Sequence, residues 1–212
     1  MPRQVSVAFA FGLALLVANS AGAERLGKGR SLVYVSIGSH TGQFITVIPP
    51  LKTFSGLVLR DASGEIGGEI AYERFVGDQT TLGISGSYHA GTMKSETPSF
   101  TANSNTHSAT VRVGGDCFAF IDDHVAVYAG PGVFYRRGRW KSTALGTPID
   151  GPDATEIGLN GRIGVYAHMM GDLGLCVQIG QNFSHTSGEA PEGRISWWSS
   201  APEGSLGLAF DF

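Results

Sequence analysis

Glu65-Ile-Gly-Gly-Glu-Ile-Ala-Tyr-Glu-Arg-Phe75 decides how this chain folds. Ile66, Ile70 and Tyr72 fall on one side of an extended segment. Glu65, Gly67, Glu69, Ala71 and Glu73 fall on the other. A period of two is the signature of a β-strand whose two faces meet different surroundings. Leu82, Ile84 and Tyr88 repeat the pattern against Thr81, Ser85, Ser87 and His89.

Working outward, the same alternation recurs along the chain. Upstream, Val33, Val35 and Ile37 form the apolar side of a strand over 31–38. Downstream come Ala109/Val111/Val113, Val125/Val127/Ala129/Val133, Ile157/Leu159/Ile163/Val165, Leu173/Leu175/Val177/Ile179 and Leu206/Leu208/Phe210/Phe212, each set opposed by small, polar or charged residues. The expected fold class is therefore all-β, with eight antiparallel strands. The connections sort by length. Val76–Gln79, Ile121–His124 and Met170–Asp172 are tight, whereas about 39–64, 90–106, 137–154 and 186–204 read as long loops. A soluble sandwich would mix short and long connections at both ends. Strict sorting is how a transmembrane barrel is built, with short periplasmic turns and long outer loops.

Composition agrees. Charged residues are 16% of the chain, against roughly 25% in soluble domains, and glycine, 31 of 212 residues, is about twice its usual share. A net charge of −3 offers no bulk positive field for nucleic acid. Residues 1–23 read as a signal peptide: Arg3, an apolar run from Val5 to Val17, and Ala21-Gly22-Ala23 as the cleavage site. The expected domains are thus 1–23, removed, and 24–212, a β-barrel of the bacterial outer membrane with both termini periplasmic. The chain is expected to be a monomer and to need no cofactor.

The final strand carries a family resemblance. Phe212, with Phe210, Leu208 and Leu206 spaced by two before it, resembles the C-terminal strand signal of outer-membrane barrels. Strand number and size resemble the small barrels of OmpA/OmpX type. The resemblance implies that Phe210 and Phe212 form an assembly signal for the barrel assembly machinery, and that the surrounding partners are outer-membrane lipid and lipopolysaccharide.

Several candidate sites follow. Side chains fill an eight-stranded bore. Inward parity gives it Glu69, Glu73, Arg112, Glu156, Arg162 and Asp211. Charges withdrawn from water must pair, so Glu69, Arg112 and Arg162, near mid-strand, are expected to form a closing plug; a small solute channel is the alternative. Arg136, Arg137, Arg139 and Lys141 read as an outer-rim cluster able to hold lipopolysaccharide phosphates. Aromatic residues near strand ends suit interfacial girdles where they point outward. Cys117 and Cys176 are expected to be free, and no metal-ligand spacing is present. His185-Thr186-Ser187 resembles the His-x-Ser of outer-membrane lipid A deacylases. That resemblance implies His185 as base, Ser187 as nucleophile and Glu203 as orienting acid. Gly188 stands where that family has Asn. The expected role is non-enzymatic, structural or surface-contact, with the esterase as alternative.

Overall fold

The computed structural model describes residue 26 and residues 28–42, 63–97, 100–144, 147–150, 153–190 and 193–212. The expected signal peptide, with its cleavage site, lies outside the described residues, as does most of the first expected loop. The strands are β1 (Ser31–Gly42), β2 (Ser63–Phe75), β3 (Thr81–Thr97), β4 (Phe100–Gly114), β5 (Cys117–Phe120), β6 (Val125–Ala144), β7 (Thr147–Asp150), β8 (Ala154–Met170), β9 (Leu173–Ala190) and β10 (Gly193–Asp211).

Ten strands make eight wall positions. β4 and β5 are one wall strand, interrupted at Gly115-Asp116 without loss of register: Gly114 faces Gly132 and Cys117 faces Ala129. Pro131 stands opposite the interruption. It has no N–H to give the ladder, yet its carbonyl still accepts from Gly115 N at 3.2 Å. β7 folds back on the end of β6. β1 pairs with both β2 and β10, closing an all-antiparallel barrel. One circuit of paired residues runs Leu208, Val35, Ile70, Gly86, Val111, Tyr135, Ile157, His185, Trp198, so it returns to β10 ten residues from its start. That stagger tilts the strands and sets the bore narrow enough for side chains to fill.

The tight turns fall at the three expected places. Gly171 supplies a φ of +54° to the tightest of them. The second, third and fourth long loops are shorter than the sequence suggests. β3 and β4 run to within two residues of each other, as do β9 and β10, and β6 continues to Ala144. The ladder continues there through stretches in which the sequence offers no apolar alternation to read.

The barrel is apolar outside. Ile37, Ile66, Ile70, Leu82, Ile157, Leu159 and Phe212 are among the exposed large hydrophobic residues, and they ring the wall. Inside, the half nearest the turns holds Leu26, Leu32, Tyr34, Phe75, Phe118, Tyr128 and Tyr166. Phe118 stacks on Tyr128 at 5.2 Å and packs tilted against Phe75 at 5.1 Å between ring centroids. Gly164, opposite Tyr128 in register, leaves room for that ring: a Cβ there would stand 2.8 Å from Tyr128 Cε1. The aromatic residues thus divide. Tyr34, Phe75, Phe118 and Phe134 point into the bore, and Tyr72, Tyr88, Tyr135, Trp198, Phe210 and Phe212 point out.

Candidate functional site: the charged bore and its outer rim

The alternation that points Ile163 outward points Arg162 inward, where it is buried in the bore. Its guanidinium reaches Glu73, on the wall strand diametrically opposite, and Asp116, on the wall strand between. Glu73 also accepts from Thr81 Oγ1 at 2.7 Å. This crossing marks the top of the aromatic floor, where Arg162 also lies over the Tyr128 ring at 5.9 Å.

Above it the bore is polar. A cavity of about 50 Å³, room for one or two waters, is lined by Glu69, Ser87, His89, Arg112, Asn160 and Glu203 among others. Asn160 Nδ2 donates to Asn182 Oδ1 and to Glu203 Oε1, both at 2.7 Å. Asn182 Nδ2 donates to Glu203 Oε2 at 2.9 Å. On the same side, Arg136 Nη1 donates to Glu156 Oε2 at 3.0 Å and Nε to Thr110 Oγ1 at 2.9 Å, while Ser184 donates to Glu156. Glu65 on β2 accepts from Ser108 on β4, over the inner face of β3. At the turn end, Asp211 pairs with Arg30.

The inward residues expected from parity all face the bore, but their pairing differs from the sequence reading. Arg162 pairs with Glu73 and Asp116, not with Glu69. Arg112 makes no ion pair among the described residues. Its Nε and Nη2 are buried without hydrogen-bond partners. They pack over the wall at Gly114 and Gly132, where a Cβ on Gly132 would stand 2.5 Å from Nε. Asp116, a buried carboxylate beyond Gly114-Gly115, is not among the charges expected in the bore. Continuing the even parity of Arg112 through the glycines would have found it.

Arg136 is a second correction. It is buried in the bore rather than on the rim, since β6 continues and Arg136 shares the inward parity of Phe134. Arg137 and Arg139 do face outward. Both hold Asp153: Arg137 Nη2 at 3.0 Å, Arg139 Nε at 2.8 Å and Nη2 at 3.2 Å. Hydrogen bonds from Arg139, then Arg137, pull the Asp153 carboxyl down to about 2. Lys141 is exposed and stands opposite Asp150 in register.

The His-x-Ser segment does not assemble a triad. His185 is exposed on the outer face, edge-on to Trp198 at 5.1 Å. Ser187 Oγ lies 3.0 Å from Thr155 Oγ1. Glu203 faces the bore in the asparagine network, and its register partner is Gly180, five residues from His185. Base and acid are therefore on opposite faces of the wall. Cys117 is exposed and Cys176 buried, both free. No group of three or more His, Cys, Asp or Glu residues able to hold a metal exists among the described residues.

No family model matches the chain, and no curated protein matches it. Solved structures do. Neisserial surface protein A aligns with a TM-score of 0.51 at 12% identity, covering 88% of this chain and 99% of that one. The outer-membrane protein OprG from Pseudomonas aeruginosa aligns at 0.51 with 8% identity, covering 91% and 99%. At such identity the likeness is one of fold: this chain has the architecture of small outer-membrane barrels.

Proposed function

We propose that the mature chain is a monomeric outer-membrane protein with a structural or surface-contact role and a lumen closed by its own charges. One observation carries this reading: the wall is inside-out. Large apolar side chains cover the outside of a closed barrel, while arginines, carboxylates and asparagines fill the inside. In water that outer belt would be an aggregation surface far larger than a soluble monomer tolerates. In lipid it is the favourable side, and a closed ladder leaves no backbone edge unsatisfied.

Two features support closure. The turn-end half of the bore is packed with aromatic rings, and Arg162 spans the bore above them. A non-enzymatic role is supported by the separation of His185 from Glu203 across the wall. Phe210 on the last strand and Phe212 just after it, both exposed, are our assigned contacts for the assembly machinery.

The test is fractionation. The protein should start at Glu24, sediment with the outer membrane, and migrate faster on gels unless boiled. A chain lacking Phe212 should be exported yet accumulate little heat-modifiable barrel. A soluble periplasmic form of the intact chain would sink this reading.

A further inference from the structure

The outward face of β4, β6 and β8 changes character over a few residues. Tyr135 and Ile157 are paired in register and end the apolar belt there. Arg137 and Arg139 come two and four residues after Tyr135 on the same face. At about 3.3 Å per residue and a tilt of about 40°, they stand roughly 5 and 10 Å beyond the belt edge. That is where lipid headgroups begin. His107 is the register partner of Arg139 and adds a ring held by the Tyr88 hydroxyl, 3.0 Å from Nδ1.

Asp153 shows what the two guanidinium groups can grip. They deliver three N–H donors to one carboxylate at 2.8 to 3.2 Å, on an exposed surface. This is the planar, forked recognition that arginine offers any oxyanion. Asp153 brings one negative charge. To replace or join it, a ligand must bring more. A phosphate monoester carries about −1.5 to −2 at neutral pH, whereas a phosphodiester carries one charge and gains nothing over the carboxylate.

We propose that Arg137, Arg139 and His107 bind the phosphate monoester of a membrane glycolipid, the lipid A phosphate of lipopolysaccharide, with Asp153 as the occupant of the arginine forks when the lipid is absent. The acyl chains of that lipid would lie against Tyr135 and Ile157. Arg136 takes no part, because it is inside the barrel. This site rests on the membrane reading above.

The test uses the whole mature protein in vesicles of phosphatidylcholine with added lipid A, followed by native mass spectrometry of the lipid it retains. Bisphosphorylated lipid A should be retained about tenfold more than dephosphorylated lipid A. The double variant Arg137→Gln/Arg139→Gln should lose about tenfold. Asp153→Asn should gain severalfold, because it removes the competing carboxylate charge from both guanidinium groups. A carboxylate that served only to tie β6 to β8 would give no gain. Equal retention of dephosphorylated lipid A, equal retention of phosphatidylglycerol, an unchanged double variant, or weaker binding by Asp153→Asn would each overturn the site. So would displacement of the lipid by millimolar inorganic phosphate alone. Heat-modifiable migration of each protein in the same vesicles separates failure of the site from failure of the membrane reading: an inserted barrel without lipid preference rejects only the site.

Discussion

The two halves of the bore are built from the same strands yet packed by opposite rules. Near the turns, Phe75, Phe118 and Tyr128 pack ring against ring as in the core of a soluble protein, and Gly164 is small so that a ring can lie over it. Toward the loops, Asn160, Asn182 and Glu203 bond one another around a small cavity that Arg112 also lines. The difference teaches that burial alone does not set the chemistry of a barrel interior. An apolar half tolerates no extra volume. The polar half has room beside its cavity, yet leaves two nitrogens of Arg112 buried without partners. Arg162 stands at the border and belongs to both, since it lies over Tyr128 and holds two carboxylates.

The largest effect should therefore come at that border. Arg162→Ala leaves Glu73 and Asp116 buried without their cation, and breaking such a pair costs about 3–5 kcal/mol. The denaturant midpoint in lipid should fall accordingly. Arg112→Ala is the contrast, since Arg112 makes no ion pair among the described residues, and its loss should cost clearly less. Equal losses would mean that the border is not where the stability lies.

A smaller effect separates the halves by volume. Gly164→Ala places a methyl group against the Tyr128 ring and should cost about 1–3 kcal/mol by overpacking. Ser87→Thr adds a methyl group beside the polar cavity and should stay within about 0.5 kcal/mol. If both cost the same, the halves are equally tight and the contrast fails.

The smallest effect lies outside the bore and is read by pH. The carboxyl of Asp153 is lowered from 3.8 to about 2 by Arg139 and Arg137. A depressed carboxyl contributes its contact in full above the ordinary value, and the contact is lost as pH falls through about 2. Carbon-detected NMR of the Asp153 carboxyl should show titration near pH 2, moving up toward 3.8 in Arg139→Gln. An unchanged midpoint in that variant would show that Arg139 does not hold the carboxylate in solution. Global stability should not follow this titration, because the group is exposed.

How much was legible follows from where contrast existed between the two faces. Ile66, Ile70 and Tyr72 share one parity, as do Leu206, Leu208, Phe210 and Phe212, so strand and facing direction can both be read in those stretches. From Thr92 to Asn105 and from Gly138 to Ala144, serine, threonine, asparagine and glycine suit both faces, and the continuing strands read as loop. Arg136 was misplaced by that same loss of contrast, being one residue past the last apolar outward position, Tyr135. The inward charges were legible as a set from parity, yet their partners were not.

By itself the sequence determined the all-β class, the three tight turns, the apolar outside and the charged inside, because each is a local consequence of a two-residue period and of turn chemistry. Only the tertiary structure decided that β1 closes on β10 with a stagger of ten residues, that Arg162 meets Glu73 across the bore, and that His185 and Glu203 stand on opposite sides of the wall. Those depend on the register between strands and on the distance across a closed cylinder. Neither is a property of any one stretch of chain.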